Sequence, residues 1–83
     1  MVKVSTLSKS ITVDSNNGLN FSIDVPEVEG YSFVGAVGFN SSAWEVCFSS
    51  LRPLNNTISG SVFNNASKKL SATIRINALY VAG

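Results

Sequence analysis

The chain has 83 residues, of which 45% are hydrophobic and only 13% charged, with a formal net charge of +1, one cysteine and no histidine. That balance supplies no field to gather nucleic-acid phosphates or anionic lipid, and without histidine neither the usual zinc sets nor a Ser-His-Asp or Cys-His catalytic arrangement can be assembled. A lone cysteine forbids an intrachain disulfide, so a domain this small, burying only about 60–65% of its unfolded surface, is left with partner chains as its extra source of stability.

Alternation at period two dominates, and no apolar spacing at three and four residues argues for a helix. The opening MVKVSTLSKS lacks the apolar stretch of a signal peptide, and no run nears the ~20 residues that span a bilayer, so membrane insertion is not expected. Ile11 and Val13 begin the first clear strand, and the turn residues of SNNG (15–18) predict a hairpin into the next. There Leu19, Phe21, Ile23 and Val25 share one face, and Asn20, Ser22 and Asp24 the other, until Pro26 ends the strand. VPEVEG (25–30) reads as a connection.

In the run 31–39, Tyr31, Phe33, Gly35, Val37 and Phe39 fall on one face and Ser32, Val34, Ala36 and Gly38 on the other. Both faces are apolar or small, the pattern of a strand covered on both sides. Glycine weakens a strand interior, so Gly35 and Gly38 mark a bulge, a bend or room for a facing backbone or side chain. FNSSA (39–43) reads as a loop. Trp44, Val46 and Phe48 then form a half-buried strand, which puts Trp44 at a core edge and makes Cys47 a small core or interface residue. Leu51–Asn56, with Pro53 and the Asn55-Asn56 pair, reads as a turn region. Ile58, Gly60 and Val62 alternate in the fifth strand, NNASKK (64–69) is the most polar loop, and Ala72, Ile74, Ile76, Ala78 and Tyr80 define a long, well-packed last strand. Six or seven short strands without a linker predict one domain over residues 1–83, an all-β, small antiparallel β-sandwich of jelly-roll type.

Catalytic constellations are sparse. Asp24, Glu27 and Glu29 are the only local carboxylate cluster, beside a turn where solvated acids are the rule, so a glycosidase pair is not expected. GAVG (35–38) lacks the spacing and the lysine of a phosphate loop. The uncharged polar loops suit hydrogen bonding to a sugar or peptide, which makes Asn40, Ser42, Trp44, Arg52, Asn55 and Asn56 the candidate ligand-binding residues. Val34, Ala36, Leu51, Leu79 and Val81, with Val2, Val4 and Leu7, exceed what one small core encloses and are the candidate oligomer interface. No metal or other cofactor is expected.

SKSITV (8–13), LNFSIDVPEVEGY (19–31), VGAVGF (34–39) and ATIRINALYV (72–81), in that order, cover most of the chain. Together they resemble the small C-terminal β-domains of tail-fibre and baseplate host-attachment proteins of tailed bacteriophages and prophages. The resemblance implies the end of a longer fibre protein, at the virion tail tip and hence extracellular. It also implies assembly as a homotrimer and contact with a bacterial cell-surface carbohydrate or protein, without enzymatic activity. The alternative is a structural trimerisation or decoration domain that touches no receptor.

Overall fold

The computed structural model describes residues 1–83. It contains six strands and no helix: β1 (Val2–Val13), β2 (Gly18–Asp24), β3 (Tyr31–Ser41), β4 (Val46–Leu54), β5 (Thr57–Asn64) and β6 (Leu70–Ala82). All pairings are antiparallel and make two three-stranded sheets, ordered β1-β6-β3 and β2-β5-β4. The expectation of an all-β chain is met. One buried cluster draws on both sheets, with Ile74, Ile76, Ala78 and Tyr80 from β6 facing Ile58 and Val62 from β5. Each sheet thus has one apolar face turned to the other, a sandwich-like arrangement.

Position in the sheet follows from composition. β6 sits at the centre of its sheet and alternates strictly, with Ala72, Ile74, Ile76, Ala78 and Tyr80 all inward and buried. Its thirteen residues match the long final strand read from the sequence. β5 is the other central strand, and between Ile58 and Val62 it carries Gly60. A Cβ there would collide with the Ser50 carbonyl oxygen and come within 2.9 Å of Phe21 Cζ, so this position admits no side chain. The Phe21 ring lies over the gap and meets Phe48 edge-on at 5.8 Å.

Several local expectations are corrected. The SNNG turn does not close a hairpin: β1 pairs with β6 along its whole length and β2 with β5, so the turn carries the chain from one sheet to the other. Only β4 and β5 are consecutive and paired, through the two-residue turn Asn55-Asn56, where Asn55 has φ of 56°. β1 starts at Val2 rather than near Ile11. Its first half, with Lys3, Ser5 and Lys9 on the inner face, has no continuous apolar stripe to signal a strand. Leu51–Leu54 belongs to β4, not to a turn; Pro53 is tolerated because β4 is an edge strand, whose outer side needs no ladder bond. β3 runs to Ser41, leaving only 42–45 as a loop.

The largest correction lies in β3. Its register against β6 slips twice, between Phe33 and Gly35 and between Ala36 and Gly38, so Val34 and Val37 are each an extra residue in the strand. Each bulge reverses the alternation, and the inward positions become Phe33, Ala36 and Phe39, opposite Tyr80, Ala78 and Ile76. The single face Tyr31-Phe33-Gly35-Val37-Phe39 therefore does not exist. Gly35, at φ of 153°, occupies a backbone region that L-residues rarely visit, which accounts for one of the two glycines.

Candidate functional site

β1 and β6 span twelve and thirteen residues, whereas β2 and β5 span seven and eight. At about 3.3 Å per residue the first sheet therefore overhangs the second by roughly 15 Å. The overhang is the end that holds both termini, since Ala82 N–H donates to the Met1 carbonyl and Gly83 N–H to the Gly30 carbonyl. Two features form there, one on each face of the overhanging sheet.

The outer face is apolar. Val2 pairs with Val81 and Val4 with Leu79, all on the side away from the core, and β3 adds the bulged Val34 and Val37. Val2, Val4, Val34 and Val37 are 64%, 53%, 56% and 55% exposed. Val34 shares the position opposite Leu79 with Gly35, and Val37 the position opposite Asn77 with Gly38; nothing lies within 4 Å over Gly35, which leaves a hollow beside Val34, whereas the Asn77 amide fills the space over Gly38. Of the interface candidates, Val34, Leu79 and Val81 belong to this face, as do Val2 and Val4. Ala36 does not, because the first bulge turns it inward beside Ala78, against the core. Leu51 and Leu7 are likewise half-buried against the core.

Beneath the inner face of the overhang, the β2–β3 connection folds back and walls off an open cleft of about 600 Å³. Tyr31, Phe33 and Tyr80 supply its rings, and Glu27 and Glu29 stand on the connection. The turn amides Asn55 and Asn56 close one side. Four hydrogen bonds hold these walls in place: Tyr80 Oη–H to the Pro26 carbonyl at 2.7 Å, Val25 N–H to the Asn56 carbonyl at 2.8 Å, Tyr31 N–H to the Val28 carbonyl at 3.0 Å and Gly83 N–H to the Gly30 carbonyl at 3.1 Å. The Val28–Tyr31 bond closes a turn with Gly30 at φ of 82° in its third position, the requirement of a type II turn.

The six ligand-binding candidates do not come together. Asn55 and Asn56 line this cleft. Arg52 lies on the outer face of the second sheet with Asn20, Ser50 and Ser59, around a shallower groove of about 480 Å³. Asn40, Ser42 and Trp44 sit at the far end of β4, roughly 30 Å away along a nine-residue strand. Trp44 is 84% exposed, not at a core edge: it precedes β4, so the parity of Val46 and Phe48 does not extend to it. Cys47 is exposed too, on the outer face between inward Val46 and Phe48, with its thiol 3.4 Å from the Trp44 carbonyl.

At that far end one polar residue unforeseen in the sequence organises two connections. Asn64 is fully buried; its Nδ2 lies 3.0 Å from the carbonyl oxygens of Val13 and Lys68, and its Oδ1 accepts from Ala66 N–H at 2.9 Å. It reads as part of a polar loop because an amide at a strand end carries no periodic signal. The carboxylates and Cys47 nowhere cluster in threes that could hold a metal ion. The chain matches no protein-family model, no curated protein and no solved structure.

Proposed function

We propose that the chain is a non-enzymatic attachment module that works as a homotrimer at the tip of a phage tail fibre or baseplate and contacts a bacterial surface glycan or protein. The observation that carries the assembly half is the outward face formed by Val2, Val4, Val34, Val37, Leu79 and Val81. Six such side chains over three strands make a patch on the order of 300 Å², the size at which the largest apolar patch of a soluble domain is often a functional surface. Covering it from both sides supplies about 15 kcal/mol gross, comparable with the roughly 4–15 kcal/mol that association costs. The occupants that fit are two further copies of the same face, gathered around a threefold axis: the face is nearly uncharged, so copies meet without ionic repulsion, and the hollow at Gly35 lies beside the projecting Val34.

Strand order supports the finer jelly-roll reading. Pairing of β1 with β6 and of β2 with β5 is what a long hairpin makes when it folds over into two sheets. The attachment half of the reading rests on the fixed polar and aromatic cleft, together with the family resemblance carried by the strand sequences.

Light scattering on the purified chain tests assembly, with a mass of three copies expected; a folded monomer at micromolar concentration sinks it. Adsorption of the trimer to bacterial cells tests attachment. A trimer blank on cells and on a glycan array leaves the second reading, a structural trimerisation or decoration domain. That reading is favoured by one observation, the scattering of the six ligand-binding candidates to opposite ends of the molecule.

A further inference from the structure

We infer that the cleft under the overhanging sheet binds an organic ammonium group, primary or quaternary, borne on a larger surface molecule. This rests on the attachment reading and names the chemistry of its ligand. The cleft's volume of about 600 Å³ lies within the roughly 300–1,000 Å³ range of small-molecule sites. Its walls are fixed by the four hydrogen bonds described above, so little ordering is needed on binding.

Charge and rings select the ligand. Glu27 and Glu29 are both exposed on the cleft wall, and no lysine or arginine lines it. Neither carboxylate has an ion-pair partner, because the only salt bridge in the chain joins Lys69 to Asp14 at the opposite end. The field of these carboxylates repels an anionic ligand and is indifferent to a neutral one, whereas it draws in a cation. Tyr31 and Phe33, both half-buried, offer it rings, whereas Tyr80 is sealed at 1% exposure, and ring faces attract ammonium groups within about 6 Å of their centroids. One internal ammonium already uses this attraction: Lys3, on the inner face of β1, places Nζ 6.0 Å from the Tyr31 ring centroid. Lys3 lies just outside the cleft lining and competes with a ligand for that ring and that field.

The test is a titration of the 83-residue chain, followed by amide chemical shifts and by calorimetry, with four probes: choline, its uncharged isostere 3,3-dimethylbutan-1-ol, n-butylamine and a methyl hexoside. Choline or butylamine is expected to shift Tyr31, Phe33 and Asn56 saturably and to bind at least about tenfold tighter than the isostere. Whichever amine binds better identifies the source as quaternary or primary. The double substitution Glu27→Gln with Glu29→Gln should bring the better amine down to the isostere's affinity without changing the melting temperature, since both side chains are exposed. Lys3→Gln should tighten binding about two- to fivefold, an effect no purely structural role for these residues produces. Equal binding of amine and isostere, saturable shifts only for the hexoside, or no saturable shift at all overturns the inference. Mass measured on the same samples keeps the readings apart: a trimer indifferent to both amines sinks this inference alone, and a monomer that binds them sinks the assembly reading alone.

Discussion

Asn64 shows how one side chain can hold an end of the molecule. Its amide ties the carbonyl of Val13, at the end of β1, to that of Lys68 in the β5–β6 connection and receives the Ala66 N–H, the first bond buried and the other two part-buried. Asn64→Ala leaves the Val13 carbonyl buried and unpaired and frees the two part-buried groups of the loop, and we expect a loss of about 2–4 kcal/mol in urea unfolding. Lys69→Ala, which removes the exposed 3.5 Å ion pair with Asp14 on the same end, should change stability by less than about 0.5 kcal/mol. Two glycines separate steric from conformational causes. At Gly60 the obstacle to a Cβ is the Ser50 carbonyl, which belongs to the backbone and cannot swing aside. At Gly35 nothing lies within 4 Å and only φ of 153° objects. Gly60→Ala and Gly35→Ala should each cost on the order of 1–3 kcal/mol. Only the first should disturb the Phe21 ring, visible as shifted aromatic resonances; unchanged Phe21 signals in a destabilised Gly60→Ala would contradict the steric account.

At the scale of elements, β3 explains why the strands were legible in the sequence and their faces only partly so. Period two marks β2, β5 and β6 unambiguously, since Leu19, Phe21 and Ile23, or Ile74, Ile76 and Ala78, stay in phase over the whole strand. In Phe33-Val34-Gly35-Ala36-Val37-Gly38-Phe39 the inward residues recur every third position, because each Val-Gly step inserts one residue. Alternation alone cannot register such an insertion; only the glycines hint at it. The turn at 15–18 was likewise recognisable as a turn, but which sheet it enters depends on the pairing of β1 with a strand some 60 residues away. For the same reason Glu27, Tyr31, Asn56 and Tyr80 could not be grouped from the sequence, since long-range pairing gathers them. The bulges permit a direct check. Deleting Val34 and Val37 together leaves Phe-Gly-Ala-Gly-Phe, a regular alternation with Phe33, Ala36 and Phe39 still inward. We expect this shortened chain to keep its circular-dichroism spectrum and its β3–β6 register while losing self-association. Unfolding of the double deletant would show that the bulges serve the fold itself rather than the outer face.

The whole molecule is a rod of 47 × 18 × 15 Å, and only 13 of its 83 residues are buried. A core this thin gives a lone copy little reserve, and conformational entropy offsets most of what burial contributes. The overhang deepens the deficit in β1: Val2, Lys3 and Val4 are all exposed, so this end of the strand is held to β6 by backbone pairing more than by packing, although Ala78 and Tyr80 of β6 are buried. Covering the outer valines with further copies stabilises this part of the molecule, and the coupling has a thermodynamic signature. If folding and assembly are linked, the melting temperature rises with protein concentration by mass action, because copies bind the folded chain and not the unfolded one. Val4→Asp with Val34→Asp places carboxylates on the outer face without touching the core, since both valines are more than half exposed. The altered chain should melt at a lower temperature that no longer depends on concentration, while keeping its β spectrum when cold. Ile76→Asp, at a fully buried position of the central strand, should instead abolish folding at every concentration. A wild-type melting temperature that stays constant over a hundredfold range of concentration would mean that the thin core suffices alone and that the outer valines meet nothing of their own kind.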